Sequence, residues 1–486
     1  MRIKLTLGVW LLGITLAWLA VAPAEFGVWP LVDAQGAAAG WWQLRQHVIY
    51  LSGLWSIGLM SLVMLLALRL PLVEHALGGM DRVYRLHKWA GIGAALTATL
   101  HWGAKEGSDW IKALWGRAGR PDHEAVLPWF TDARGFAKDV GEWAFYLLLA
   151  MIVITLVNRL LPYRHWRVVH RAMPLLYLAL VLHAVALMPL AFWALPLGAL
   201  MGSLLALGTL AAIASLTGRI GRARNHAARV EAVQRLGAGA PGASGAPLEV
   251  ICAMPPGWPG HRAGQFVFVR FHRAEGAHPF TIASAPGSLG TNAQGEALLR
   301  LVIKPLGDYT RTLHRRLQAG QSVDIEGPYG RFDGQGSGRR QQVWVAAGVG
   351  ITPFLALLEA RAAGGNAAAA QAGAQAGAQA GSQAGSQTGS QTDPAATVQM
   401  HYCTRDGAHD PLLIRVRALC AQALPPVALT VHDDAQGQRL RPQDLQHVGG
   451  PLDIWFCGPP GLGDALHEHA GGARPWRLHR ESFAMR

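Results

Sequence analysis

Charge is scarce in this chain: Asp, Glu, Lys and Arg make up 15% of its 486 residues, against about 25% in an ordinary soluble domain. That shortage argues against a wholly soluble protein, and the 51% hydrophobic content excludes disorder throughout. Cysteine is scarcer still. The four present (Cys252, Cys403, Cys420, Cys457) all lie in the second half, which argues against a disulfide-stapled secreted fold. Acidic residues are outnumbered by basic ones, 30 to 43, leaving a formal net charge of +13. Such an excess points to nucleic acid or to a membrane, and its placement decides between them. The length suits roughly three domains at about 150 residues each. Apolar material is concentrated in the first 220 or so residues, so the expectation is a membrane part followed by a soluble part.

Six apolar stretches are long enough to cross a hydrocarbon core of about 30 Å. They run near Leu5–Ala22, Val48–Leu70, Tyr84–Gly103, Glu142–Leu161, Val168–Leu190 and Ala194–Leu216. The third is the weakest, because it carries His87, Lys88 and His101. Basic residues gather at Arg2/Lys4, at Arg69/Arg82/Arg85/Lys88, at Arg159/Arg164/Arg167/Arg171 and at Arg219/Arg222/Arg224/Arg229. All four groups fall on one side of the six spans, which the positive-inside rule makes cytoplasmic. The segment Lys105–Lys138 mixes both signs of charge and reads as external. Trp41, Trp42, Trp102, Trp110, Trp143 and Trp166 near span ends suit an interfacial belt. Nucleic acid is left with little to explain. The first stretch, with Ala20-Val21-Ala22 at its end, would also suit a cleavable signal peptide; retention is the favoured reading, with both termini cytoplasmic.

Asp and Glu are absent from the third and fifth stretches, yet histidines are present in both. A lone histidine there is ordinarily a span-end residue bonded to backbone or headgroup. Two pairs of similar spacing reverse that balance. His87 and His101 are 14 residues apart, His170 and His183 are 13 apart, and each interval rises about 20 Å along a helix. The two spans run in the same direction, so the lower and upper pairs can each face one another. Two haems, each held by one imidazole from each helix, are the natural occupants. Thirteen residues leave an angular mismatch of about 140° on an ideal helix, which Pro174 between the second pair could correct by a kink. His47, His75, His123 and His165 keep the ordinary reading.

After Arg229 short apolar runs alternate with turn signals. Leu248–Met254, Gln265–Phe271, Ala297–Lys304 and Ser322–Glu326 read as strands of a small antiparallel barrel. It contains His278-Pro279-Phe280-Thr281-Ile282-Ala283-Ser284, then Gly307-Asp308-Tyr309-Thr310 and Gly327-Pro328-Tyr329-Gly330. Aromatic faces and hydroxyls presented together are what a flavin needs; an edge strand with incidental His and Thr is the plainer alternative. A parallel α/β unit follows. Strand Gln342–Ala347 leads into Gly348-Val349-Gly350-Ile351-Thr352-Pro353-Phe354, where glycines admit a pyrophosphate and Thr352–Pro353 read as N-cap and first helical residue. A later strand, Asp453–Phe456, runs into Cys457-Gly458-Pro459-Pro460. Between them, 363–397 is an Ala/Gly/Gln/Ser/Thr tract that reads as a flexible insertion. Arg405, just past strand Val398–Cys403, stands where a 2′-phosphate would be read, and Asp406 beside it could instead contact a ribose hydroxyl. A solvated loop charge is the plainer reading of Arg405; NADPH is preferred to NADH.

With these motifs in this order, the chain resembles the ferric reductase/NADPH oxidase superfamily, in particular its bacterial single-chain members, from about Val48 to the C-terminus without the 363–397 insertion. The resemblance implies a transmembrane haem bundle over 1–220, an FAD-binding barrel over 228–335 and an NAD(P)-binding α/β domain over 341–486. It implies that His87 and His170 hold an inner b-type haem, and His101 and His183 an outer one. It further implies that His278, Pro279, Phe280, Thr281, Ser284, Lys304, Gly307 and Thr310 serve FAD, with Thr281 near the flavin edge. Gly348, Gly350, Thr352, Pro353, Arg405 and Gly458 would serve the nucleotide, Cys457 would lie close to the nicotinamide, and Phe483 would shield the flavin. The 13-residue histidine spacing, the insertion, and Met485 where an aromatic often stands depart from the family pattern.

The resulting expectation is an inner-membrane flavocytochrome that takes electrons from cytoplasmic NADPH through FAD and two bis-histidine haems to an acceptor on the far side. Ferric chelate or general acceptor reduction is favoured. Superoxide production from oxygen is the runner-up, and an electron-relay subunit for a periplasmic protein or quinone is a third possibility. A transporter lacks the broken-helix repeats expected of one.

Overall fold

The computed structural model describes residues 2–26, 36–117, 120–121, 124–156, 163–194, 196–237, 246–272, 276–336, 340–364, 398–448, 450–470 and 476–480. The chain divides into two compact units between Arg222 and Ala223.

The first unit is helical: α1 (Arg2–Leu19), α2 (Ala22–Phe26), α3 (Gly36–Ala67), α4 (Pro71–Leu77), α5 (Met80–Trp115), α6 (Arg134–Leu156), α7 (Tyr163–His170), α8 (Met173–Leu187) and α9 (Leu197–Leu216). Helix α3 packs on α5 and α9, and α6 packs on α8. Among the described residues four segments are long and apolar enough to cross a membrane: Ile3–Ala24, Ala39–Ala67, Trp166–Leu187 and Leu197–Leu216. Six were expected from the sequence. The third and fourth stretches do form helices, α5 and α6, but neither is among those four, and both carry charge toward their ends. Helix α5 carries Asp81, Arg82, Arg85 and Lys88 near its start and Lys105 and Glu106 further along. Helix α6 begins with Arg134, Lys138, Asp139 and Glu142, and its apolar end runs out of the described residues after Leu156. The supposed external segment is also shorter than its sequence suggests, since α5 continues to Trp115.

The fifth stretch is two helices. A turn at Arg171–Ala172 separates α7 from α8, and Pro174 occupies the first turn of α8, where its missing N–H costs nothing.

The second unit holds two sheets. Strands β1 (Asn225–Arg235), β2 (Leu248–Met254), β3 (Phe266–Arg270), β4 (His278–Thr281), β5 (Ala297–Ile303) and β6 (Ser322–Tyr329) form an antiparallel sheet in the order β4-β3-β6-β1-β2-β5. Its two outer strands are tied where Ile282 bridges Leu301 and the Ala283 N–H donates to the Arg300 carbonyl at 2.8 Å. Inward residues such as Val230, Val250, Val267, Leu301 and Ile325 make its core.

The other sheet is parallel, built from β7 (Gln341–Ala347), β8 (Val398–Thr404), β9 (Val427–Asp433), β10 (Leu452–Cys457) and β11 (Arg477–Arg480) in the order β11-β10-β7-β8-β9. Strand β7 is central, and Val343 to Ala346 have no exposed surface, as expected when helices cover both faces. The chain winds outward from β7 through β8 to β9, then returns to the other side of β7. The switch point therefore lies between the carboxyl ends of β7 and β10, where open α/β sheets bind ligands. Helices α10 (Asp308–Arg316), α11 (352–364), α12 (Leu413–Gln422) and α13 (Pro460–Ala470) complete the unit.

Candidate functional site

In the helical unit, α5 supplies His87 and His101, α7 ends on His170, and α8 supplies His183. Their rings meet in pairs: His87 and His170 have centroids 6.2 Å apart, and His101 and His183 have centroids 6.1 Å apart. The break between α7 and α8 is what lets a 13-residue interval match a 14-residue one. Three of the four rings are anchored to backbone. Nδ1 of His101 lies 2.8 Å from the Ile49 carbonyl, Nδ1 of His183 lies 2.8 Å from the Ala137 carbonyl, and Nδ1 of His87 lies 3.2 Å from the Val63 carbonyl. A carbonyl can only accept, so Nδ1 carries the proton and Nε2 keeps a lone pair for a metal. His170 differs: it stacks on Trp166 at 4.9 Å, and its Nδ1 is buried without a hydrogen-bond partner among the described residues.

A metal ion bonded at about 2 Å by one nitrogen of each ring would place the two centroids about 6 Å apart. Both pairs match that figure. No group of three or more His, Cys, Asp or Glu that could hold a metal occurs among the described residues. A two-nitrogen donor set suits a metal that brings its own equatorial ligands, as haem iron does.

In the second unit the turn after β7 and the turn after β10 interlock. Gly348 sits at φ +55°, a left-handed conformation that favours glycine. A Cβ on Gly350 would lie 2.1 Å from the Cys457 carbonyl oxygen, so only glycine lets the two turns approach. Lys304, at the end of β5, places Nζ 3.6 Å from where a Cβ of Gly348 would stand, which puts a cation beside the pyrophosphate-type turn. Thr352 does not cap the helix as its sequence suggests. Residues Gly348–Ile351 already form a 3-10 turn, and the Thr352 hydroxyl donates to the Val349 carbonyl at 3.0 Å. Both Thr352 and Pro353 are buried at the start of α11.

Strand β4 is His278–Thr281 itself, half-buried along its length. Phe280 packs on the sheet core, 5.9 Å from Phe271, so alternation puts Pro279 and Thr281 on the opposite face. His278 stacks on Tyr309 at 4.5 Å. Gly307 caps α10, and the Thr310 hydroxyl accepts from the Leu306 and Gly307 N–H groups, each at 3.0 Å. Ser284 is engaged by the sheet. It has no exposed surface, and its Oγ accepts from the Arg300 N–H at 3.1 Å, so it joins two segments of sheet.

Known families match both units. The pattern of the ferric reductase-like transmembrane component covers residues 52–181, a range that holds three of the four paired histidines. That of an FAD-binding domain covers residues 246–333. Together the two patterns support the ferric reductase/NADPH oxidase superfamily. Among curated relatives, it is 32% identical over 93 residues to the phenol hydroxylase P5 protein of Acinetobacter pittii, covering 19% of this chain and 24% of that one. It is 31% identical over 102 residues to NADPH oxidase 1 of Mus musculus (20% and 16%), and 35% identical over 86 residues to ferric reduction oxidase 2 of Arabidopsis thaliana (17% and 11%). Each match spans about a quarter or less of the relative's own length.

The remaining candidates scatter. Arg405 is exposed just past β8, and its carbonyl accepts from the Ala435 N–H at 3.0 Å. Asp406 is engaged by its own turn: His409 Nδ1 at 2.7 Å and the Ala408 N–H at 3.1 Å both reach its carboxylate, and the His409 hydrogen bond holds the carboxyl below its usual range. Cys457 is nearly buried and Gly458 half-buried at the end of β10. Phe483 and Met485 lie outside the described residues, as does the insertion from 365 onward.

Sequence reasoning missed an ion network that joins the two sheets. Arg300 on β5 pairs with Glu249 on β2 at 3.4 Å and with Glu359 on α11. Glu359 also accepts from the Ala285 N–H at 3.0 Å and the Ser288 hydroxyl at 2.7 Å, in the loop that follows the His-Pro-Phe-Thr strand. Arg415 on α12 donates to Glu249 at 2.6 Å.

Proposed function

We propose that this protein is a membrane flavocytochrome that oxidises NADPH on the cytoplasmic side of a bacterial inner membrane and reduces an acceptor on the other side. In this reading the helices of residues 1–220 lie in the bilayer, 228–335 form the FAD-binding barrel and 341–486 bind the dinucleotide. When bound, FAD and two b-type haems split a two-electron donor into single electrons and carry them across the bilayer.

The chain's own residues divide the remaining work. His87 with His170 and His101 with His183 would each hold one iron, with Nδ1 tied to backbone in three of the four so that Nε2 faces the metal. Two histidines per iron leave no open position, so the acceptor would be reduced at the edge of the macrocycle. Thr281 and Pro279, on the half-buried face of β4 opposite Phe280, would meet the flavin. Lys304 and the turns at Gly348–Gly350 and Cys457–Gly458 would hold phosphate and nicotinamide across the switch point, and Arg405 would read a 2′-phosphate.

The observation that carries this reading is the pair of imidazole couples at matched separation. Purified full-length protein is expected to contain two low-spin, six-coordinate haems and one FAD per polypeptide by optical spectrum and cofactor extraction. Absence of haem would overturn the proposal. Vesicles loaded with NADPH and offered ferric chelate or oxygen outside would identify the acceptor, ferric chelate being the expected one.

A further inference from the structure

We propose that Gly53 on α3 and Gly141 on α6 are positioning residues that seat the outer histidine pair, each uncovering a backbone carbonyl that fixes one imidazole. The inference rests on the haem-binding reading above and extends it to residues that touch neither metal nor substrate.

In a helix, the side chain at position i+4 leans back over the carbonyl of residue i. His101 donates to the Ile49 carbonyl, and four residues later stands Gly53. His183 donates to the Ala137 carbonyl, and four residues later stands Gly141. The same device thus occurs on two unrelated helices. A Cβ on Gly53 would meet His101 Nδ1 at 3.0 Å and Cε1 at 3.2 Å, and a Cβ on Gly141 would meet His183 Nδ1 at 2.1 Å and Cε1 at 2.3 Å. His87 reaches the Val63 carbonyl at the longer distance of 3.2 Å, and there position i+4 is Ala67. Among the other glycines of these helices, a Cβ at Gly58 would meet the Ile14 side chain at 2.5 Å and no imidazole, while a Cβ at Gly40 or Gly135 would meet nothing within 4 Å.

The hydrogen bond from Nδ1 fixes the tautomer and raises the donor strength of Nε2. A methyl group on Gly141 must push the His183 ring off the Ala137 carbonyl. The ring then turns, and its nitrogen becomes a weaker donor to a metal, which favours the reduced form.

The test compares wild type with Gly141→Ala, Gly53→Ala and the controls Gly135→Ala and Gly40→Ala, all as full-length purified protein. Readouts are haem and flavin per polypeptide, electron paramagnetic resonance of the oxidised haems, and spectroelectrochemical midpoint potentials. Alanine is preferred to glycine within helices, so the controls should match wild type. Gly141→Ala is expected to raise the potential and move the resonance of one haem only, or to lose that haem while keeping flavin; Gly53→Ala should shift the same haem less. Wild type with two haems and a Gly141→Ala spectrum and potentials equal to those of Gly135→Ala would overturn this inference while leaving the function standing. Wild type without haem would overturn both. Should Gly141→Ala lack flavin as well, Gly53→Ala, whose conflict is milder, decides by the same readouts.

Discussion

At the scale of single residues, the site depends on what an atom more or less would do. His101→Ala should leave one haem of two per flavin, counted by cofactor extraction, because His183 alone would not hold the iron. Gly350→Ala would drive a methyl group into the Cys457 carbonyl. It should slow flavin reduction by NADPH by about tenfold in stopped flow while FAD stays bound. A third residue bears on stability. His401 on β8 is buried and shares a hydrogen bond of 3.0 Å with His432 on β9, with Asp444 near both rings. Burial, then the neighbouring His432, pushes its pKa down to about 4 from 6.5. The unfolded chain therefore binds the proton more readily, and stability is full above about pH 6.5 and falls as pH drops toward about 4. The loss is on the order of 3 kcal/mol when complete. A His401→Gln variant should show a flatter decline in thermal midpoint over that range.

Elements decide which residues meet. The turn at Arg171–Ala172 re-phases His170 against His183, and Pro174→Ala, by allowing α7 and α8 to fuse, should lower haem content below two per flavin. Between the sheets, Arg300 and Glu359 are only 11% and 13% exposed. Removing Glu359 takes away one of the two carboxylates beside Arg300 and also the acceptor of the Ala285 N–H and Ser288 hydroxyl. Glu359→Ala should accordingly lower the thermal midpoint and speed FAD loss, read by flavin fluorescence. These elements also show what a sequence can and cannot convey. Apolar runs, Gly-Val-Gly-Ile-Thr-Pro and Cys-Gly-Pro-Pro are local signals and fall on helices and turns, but the break between α7 and α8 and the 3-10 turn ahead of Thr352 are set by packing that composition does not show. Strand β1 escaped because Ala228 and Val230 alternate inward among arginines that read as a cytoplasmic charge cluster. The hydrogen bond from the Arg300 N–H to Ser284 Oγ also gave no local signal, because its two partners lie on different segments. The Arg300 network joins residues 51 and 59 positions apart, beyond the reach of any spacing argument. Gly53 and Gly141 gave no signal because only the neighbouring ring explains them.

For the molecule as a whole, scarcity of charge separates an apolar helical unit from a polar two-sheet one, and the division at Arg222–Ala223 follows that change of composition. The two units carry different halves of the proposed chemistry. Removing residues 365–397 should leave flavin content and NADPH-dependent flavin reduction within about twofold of wild type, since the tract can bury no core. Larger losses in stopped flow would assign it a part in nucleotide binding.

Strand direction gives that tract a further meaning. In a parallel sheet every strand starts at one edge and finishes at the other, and the interlocked glycine turns stand at the finishing edge of β7 and β10. The tract feeds into β8 at Val398, where that strand starts. Its length can therefore drift between relatives with no toll on the ligand edge, and the same entry point is a port for grafting a fluorophore or an affinity handle.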